Sequence, residues 1–300
     1  MQESKEENPF RPNSPVWQPR GFFGRSREIR RVLQSLRNQQ SVSVVGPPKC
    51  GKTSLLNHVA DIEVFQRHAL QAGEHIFVYI DVVNVGGRSL AEMEQDECFL
   101  LLREEIIRQI KESNLTVGSK LAEATRQADL QSALYGLNTL LRTAQQCRVK
   151  PIVALDNFST LAKNPRLSEH FFQALRFLAT GHYWLAYLVA SRHPLHELEK
   201  IRPEASTFFG ICHQIMLEPF APQESRELVI KTLERTSIQF PAFAIAHILE
   251  LGCNEPYRLH LAGYQAFEMW QEKGKRLREA DCGEIERCFA TALRRSLGKS

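Results

Sequence analysis

The chain has no run of about eighteen apolar residues, the length a helix needs to cross a bilayer, so nothing in it reads as a membrane span. Its start, Met1-Gln2-Glu3-Ser4-Lys5-Glu6-Glu7, is polar and acidic with no apolar signal region, so export is not expected. The seven cysteines (Cys50, Cys98, Cys147, Cys212, Cys253, Cys282 and Cys288) form no Cys-x-x-Cys pair and are odd in number. That argues against a zinc site and a disulfide framework, and for reduced thiols in the cytoplasm. Charge of one sign is lacking too. The 38 basic and 34 acidic residues leave a net +4, a balance that does not favour nucleic acid as partner. No internal repeat or low-complexity tract interrupts the 300 residues, which can hold one large α/β domain plus a smaller appendage.

What is there begins at residues 46–53, Gly46-Pro47-Pro48-Lys49-Cys50-Gly51-Lys52-Thr53, which fill every fixed position of the phosphate-binding pattern G-x-x-x-x-G-K-[ST]. Ser41-Val42-Ser43-Val44-Val45 before it is short and β-branched, as a buried strand requires, and Ser54-Leu55-Leu56-Asn57-His58-Val59 after it continues as a helix. Such a loop wraps phosphates with backbone N–H groups, and the helix N-terminus adds positive potential. The pattern names a ligand class, a nucleoside triphosphate with Mg²⁺. Lys52 is expected to reach the β- and γ-phosphates and the Thr53 hydroxyl to ligate the metal. Cys50 within the loop is read as a neutral spacer, with redox control as the alternative.

Residues 1–20 carry Pro9, Pro12, Pro15 and Pro19 and read as an extended arm, with Phe10, Val16 and Trp17 available to pack against the body. Ser26 caps a helix whose apolar positions are Ile29, Val32, Leu33 and Leu36. Five strands are expected, at 41–45, 75–81, 151–156, 184–190 and 212–217, with helices at 98–110, 130–144 and 170–178 between them. Alternation of this kind predicts a parallel sheet flanked by helices. The segment Val85-Gly86-Gly87-Arg88 reads as a mobile loop. Beyond Pro219 four helices follow one another, at 222–234, 243–251, 257–270 and 284–297. The division is thus an arm at 1–20, a P-loop NTPase domain at 21–220 and an α-helical lid domain at 221–300.

A phosphate loop needs a carboxylate that holds Mg²⁺ through water, normally at the end of a second apolar strand. Asp156, after Ile152-Val153-Ala154-Leu155, is that candidate, and Asp81 is the runner-up. The position after the aspartate, where a general base commonly sits, holds Asn157. A carboxamide accepts a hydrogen bond but takes no proton near neutral pH. Either hydrolysis is slow and the chain behaves as a switch, or another acid such as Glu169 or Glu197 serves. Ser191 and Arg192 end the fourth strand, where they either sense the γ-phosphate or cap a surface loop before Pro194.

These pieces resemble the STAND class of P-loop NTPases within the AAA+ group, and most closely the prokaryotic AAA-like ATPases with an Asn-Pro-Phe arm. The arm Asn8-Pro9-Phe10 leads to Phe23-Gly24-Arg25-Ser26-Arg27-Glu28, which resembles the family's F-x-G-R-x-x-E segment on the adenine side of the nucleotide. Residues 43–56 match its Walker A, with Ser54 following the threonine. Ala154-Leu155-Asp156-Asn157-Phe158 resembles its Walker B, Asn157 standing where the family has Glu. Ala190-Ser191-Arg192 resembles the sensor motif, and Leu217-Glu218-Pro219-Phe220 with Glu224 the step into the lid. Asn254-Glu255-Pro256-Tyr257-Arg258-Leu259 resembles G-H-P-Y-x-L, whose proline, here Pro256, packs near the nucleotide. Asn254 and Glu255 replace that motif's Gly and His.

The resemblance implies an ATP/ADP switch in which lid closure is coupled to assembly or signalling, with Lys52, Asp156, Asn157 and Arg192 in catalytic positions. The nucleotide then lies against Phe23, Gly24, Arg25, residues 46–54 and Pro256. Partners are expected to be a protein or a second copy gated by nucleotide. Two alternatives remain open. One is a DNA-associated AAA+ loader or transposition helper using Arg27, Arg30, Arg31, Arg294 and Arg295; the other is a scaffold that binds nucleotide without turnover.

Overall fold

Val42, Val44 and Val45 are fully buried, as are Ala186, Leu188, Val189 and Ala190. Strands this apolar on both faces belong in the middle of a sheet covered by helices on each side. The computed structural model describes residues 6–61, 63–64, 74–85, 87–112, 132–181 and 185–298. They form two compact units. The sheet unit comprises Arg27–Pro47 and Leu55–Leu217, and the terminal unit comprises Met1–Ser26, Pro48–Ser54 and Glu218–Ser300.

In the sheet unit β1 (Ser41–Val45), β2 (His75–Asp81), β3 (Lys150–Asp156), β4 (Ala186–Ser191) and β5 (Cys212–Met216) form one five-stranded sheet in the order β2-β3-β4-β1-β5. Every pairing is parallel. Asp81 stands opposite Asp156 and Val45 opposite Ser191, so the C-terminal strand ends share one edge of the sheet. The outer strands show their position: β2 buries alternate residues, and β5 buries Ile215 alone. Helices α1 (Ser26–Arg37), α2 (Lys52–Val59), α3 (Gln95–Glu112), α4 (Ala133–Gln146), α5 (Phe158–Ala162), α6 (Glu169–Thr180), α7 (Leu195–Ile201) and α8 (Ser206–Phe209) supply the flanks. Their core includes Phe99, Phe158, Phe171, Phe172 and Phe208, all at most 1 % exposed.

Three expectations need correction. The fourth strand starts at Ala186 and runs to Ser191; Trp184 lies outside the described residues, as do Leu130 and Gly86. The helix expected at 130–144 spans Ala133–Gln146. In the loop expected at 85–88, which needs no correction, Val85 N–H donates to Arg88 O at 2.7 Å and Arg88 N–H to Val85 O at 3.0 Å. Trp17 is 62 % exposed rather than packed, because the arm is held instead by Phe10 and by Val16 N–H, which donates to Ser54 Oγ at 3.1 Å. None of the described helices is long and apolar enough to cross a membrane.

The terminal unit carries α9 (Pro222–Glu234), α10 (Ala242–Gly252), α11 (Pro256–Glu272) and α12 (Cys282–Leu297). Pro222 and Pro256 start their helices at the first turn, where a missing N–H leaves no bond unmade. Phe10 joins the core of Val229, Ile248, Leu259, Ala262 and Phe267. Asn8 fixes the arm: its Nδ2 donates to Tyr264 O at 3.2 Å and Glu268 Oε1 at 2.9 Å, and its Oδ1 accepts Phe10 N–H at 3.0 Å.

His260 lies edge-on to Phe10, with ring centroids 6.2 Å apart, and its buried Nδ1 has no hydrogen-bond partner among the described residues. Burial pushes this imidazole down to about 4 from 6.5. The folded pKa is the lower one, so the unfolded chain binds the extra proton between those values. The neutral ring's contribution is therefore complete above pH 6.5 and is lost as pH falls toward 4. From pH 7 to pH 5 this removes about 2 kcal/mol. Urea unfolding at the two pH values should show that fall in the wild type and a clearly smaller one in His260→Gln.

Candidate functional site

The phosphate loop leaves β1 at Gly46, whose N–H donates to Ser191 O at 3.2 Å. Lys49 (φ +66°) and Gly51 (φ +97°) turn the backbone through left-handed conformations, which let neighbouring N–H groups converge on one side. Only glycine accepts +97° without strain, and a Cβ at Gly51 would meet nothing within 4 Å, so conformation and not crowding calls for glycine here. Lys52 begins α2, the eight-residue helix, and its Nζ lies 3.8 Å from the buried Cys50 Sγ. Thr53 and Ser54 occupy the next two positions of that first turn.

Pro48–Ser54 belong to the same compact unit as the helices after Glu218, and contacts through Lys49 and Arg25 join them within it. Lys49 Nζ sits 3.9 Å above the Tyr257 ring. Arg25, 3 % exposed, donates from Nη2 to Cys50 O at 3.4 Å and from Nη1 to Glu218 O at 2.5 Å. Its guanidinium also stacks 4.7 Å from the Phe220 ring. Arg25 N–H donates to Glu224 Oε1 at 2.6 Å. Gly24 (φ +72°) lies so near Glu224 that a Cβ would come within 3.1 Å of its carboxylate. The segment Phe23-Gly24-Arg25 is thus built against the loop and helix α9, with Arg235 5.0 Å over the Phe23 ring.

Pro256 opens α11. Asn254, in the place of the motif's glycine, has φ +59°, a conformation Asn tolerates better than other side chains. Its carbonyl accepts Phe220 N–H at 2.8 Å and its Oδ1 accepts Ser225 Oγ–H at 2.8 Å. The Glu255 carboxylate pairs with Arg258 at 2.9 Å.

The sheet unit supplies a second group of residues at its C-terminal edge. Asp156 is 3 % exposed; its Oδ2 accepts the Tyr79 hydroxyl at 3.0 Å and its Oδ1 accepts Asn157 N–H at 2.8 Å. Burial first, and then the Asp156 charge, drive the Tyr79 pKa far upward, so the phenol keeps its proton and donates. Asn157 has φ +57°, and its Nδ2 donates to Asp81 Oδ1 at 2.9 Å. Ser191 is fully engaged inside: its Oγ lies 2.9 Å from Ser159 Oγ and donates to His193 O at 2.5 Å. The Arg192 side chain is exposed, and its N–H donates to Ser159 Oγ at 3.1 Å. Glu169 accepts from Gln173 at 2.7 Å, and Glu197 faces His193 at 3.7 Å.

Sequence reasoning missed Tyr79 and Ser159, and ranked Asp81 only as an alternative to Asp156. The signal was present in part. Tyr79 and Asp81 are two apart on β2, hence on one face, and Asp81 is the register partner of Asp156.

Thr53 and Asp156 offer hard oxygen donors of the kind Mg²⁺ takes. Among the described residues no group of three or more His, Cys, Asp or Glu side chains could enclose a metal alone.

The model of the family described as Novel STAND NTPase 1 matches residues 16–294. No curated protein matches the sequence. Among solved structures, the chain is similar to a Walker-type ATPase of Pyrococcus abyssi, with TM-score 0.66 and 17 % identity over 96 % of this chain and 77 % of that one. It is similar to the Aeropyrum pernix ORC2 protein in its ADPNP–ADP complexes, with TM-score 0.66 and 16 % identity over 96 % and 72 %. Domain III of the Thermotoga maritima replication initiation protein DnaA matches with TM-score 0.56 and 14 % identity over 92 % and 98 %.

Proposed function

The chain belongs to the novel STAND NTPase 1 family, and from that premise we propose that it is an ATP/ADP-dependent switch with slow turnover, whose lid movement is coupled to assembly or signalling. The observation that carries this reading is the shared packing of Pro48–Ser54 with Arg25 and the helices after Glu218. Anything that rearranges the loop must disturb Arg25 and the Lys49–Tyr257 contact, and so reach the lid.

In this reading 1–20 is the arm, 21–220 the nucleotide-binding domain and 221–300 the lid. The backbone of residues 46–51 cradles phosphate, Lys52 pairs with its oxygens, and Phe23, Gly24, Arg25 and Pro256 border the nucleotide. Thr53 and Asp156 are the residues that would hold Mg²⁺, which when bound neutralises phosphate charge. Tyr79 and the Asn157 N–H fix the Asp156 carboxylate in one orientation. Arg192, exposed at the end of β4, is free to turn toward a phosphate oxygen. The nucleotide-bound Aeropyrum pernix ORC2 supports an adenine nucleotide as ligand.

Asn157 sets the speed. Its amide is tied to Asp81, so its carbonyl oxygen can orient water but takes no proton. Asn157→Glu should raise ADP release at saturating ATP by roughly tenfold or more, within the range of general-base catalysis. Asn157→Asp, which suits the left-handed backbone better, is the companion variant. Unchanged turnover in both would show that Asn157 does not limit hydrolysis.

A further inference from the structure

Helix α1 buries Ile29, Val32, Leu33 and Leu36 on one side. At about 100° per residue, Arg27, Arg30, Arg31, Gln34 and Arg37 fall on the opposite, solvent side. Glu28 is the one acidic residue of the helix. Several arginines elsewhere are paired: Arg88, Arg108, Arg166, Arg202 and Arg258 each have a carboxylate within 4 Å. None of the four α1 arginines has such a partner among the described residues. The stripe is roughly 15 Å long, the reach of two or three backbone phosphates.

The stripe leads to a cavity. Arg31 Nη2 donates to His213 Nε2 at 3.2 Å, and His213, on edge strand β5, also lines a cavity of about 370 Å³ at the N-terminal end of the sheet. Gln39, Gln40, Ser41 and Thr180 supply hydrogen-bonding groups to its wall and Ile211 an apolar face. Gln39 Oε1 is buried with no hydrogen-bond partner among the described residues, an unsatisfied acceptor that a turn of the side chain would present to a ligand N–H. No Lys, Arg, Asp or Glu lines the cavity, so a neutral group suits it and the anionic part of the ligand belongs on the stripe.

We propose that the α1 arginine stripe and the adjoining cavity bind single-stranded nucleic acid, phosphates on Arg27, Arg30, Arg31 and Arg37 and one amino-bearing base against Gln39 and His213. A duplex keeps its bases stacked and paired and cannot offer one to the cavity. The site lies at the opposite strand ends from Asp156 and does not depend on nucleotide turnover.

The test is fluorescence anisotropy of the full chain with labelled oligo(dA), oligo(dT) and a duplex of equal length, titrated across about 50–200 mM salt. Oligo(dA) should bind tightest, with a log–log salt slope near −2 for two or three phosphate contacts on a single strand. Arg30→Ala/Arg31→Ala should weaken binding at least tenfold and flatten the slope by about 1.4. Gln39→Asn, which keeps a residue tolerant of φ +57°, should abolish the preference for oligo(dA) over oligo(dT) and leave the slope unchanged. These surface variants should melt with the wild type. A near-zero slope, duplex binding as tight as single-strand binding, or unchanged affinity in the arginine variant would overturn the proposal. So would binding to phosphatidylserine vesicles or polyglutamate in place of oligonucleotide.

Discussion

Lys52→Ala should lower the affinity for ATP with Mg²⁺ by about a hundredfold or more. Removing one partner of a buried, hydrogen-bonded charge pair costs roughly 2–5 kcal/mol, and each 1.4 kcal/mol is about tenfold in affinity. The loop backbone remains in the variant, because Lys49 and Gly51 keep their turns, so residual binding through N–H groups is expected rather than none. Stability should hardly change. Lys52 stands at the first turn of α2, and replacing it by Ala, the best helix former, does not harm the helix. A loss of affinity with an unchanged melting temperature is the signature to look for by titration calorimetry and thermal unfolding.

Phe10→Ala should destabilise the protein by about 3–5 kcal/mol, the usual range for deleting a buried phenyl ring. Phe10 is 1 % exposed although it lies in an irregular arm. Its ring rests directly on α11: a Cβ at Gly263 would come within 2.4 Å of it. Gly263, directly under the ring, has no side chain with which to refill that space. Chemical denaturation of the two proteins measures the difference. A loss below about 1 kcal/mol would mean that the arm is not anchored by this ring. Loss of the ring also frees the arm that carries Val16, the donor to Ser54, so nucleotide affinity should fall modestly as well.

Much of this was legible in the sequence because the signals are local. The buried strands β1, β3 and β4 are near-continuous apolar runs, and the phosphate pattern fixes its own strand–loop–helix context. Helices α9 and α11 announce themselves through first-turn prolines at Pro222 and Pro256. What escaped depends on partners far along the chain. Asn157 meets Asp81 across 76 residues, and Arg25 meets Glu218 across 193. Neither follows from spacing. Hydrophobicity alone placed Trp17 inside with Phe10, yet Asn8 and Gly263 provide for one ring and no site of that kind holds the other. Whether an arginine is paired is equally invisible in composition: a net charge of +4 conceals an α1 face with four arginines and, among the described residues, no carboxylate partner.

The central claim is that the loop at Gly46–Thr53 holds an adenine nucleotide with Mg²⁺ and passes its state to the lid. Titration calorimetry of ATP and ADP with Mg²⁺ into the wild type and Lys52→Ala tests it most directly. The account predicts saturable binding at one site in the wild type, weakened about a hundredfold in the variant. Absence of binding in the wild type, or equal affinity in the two proteins, would contradict it.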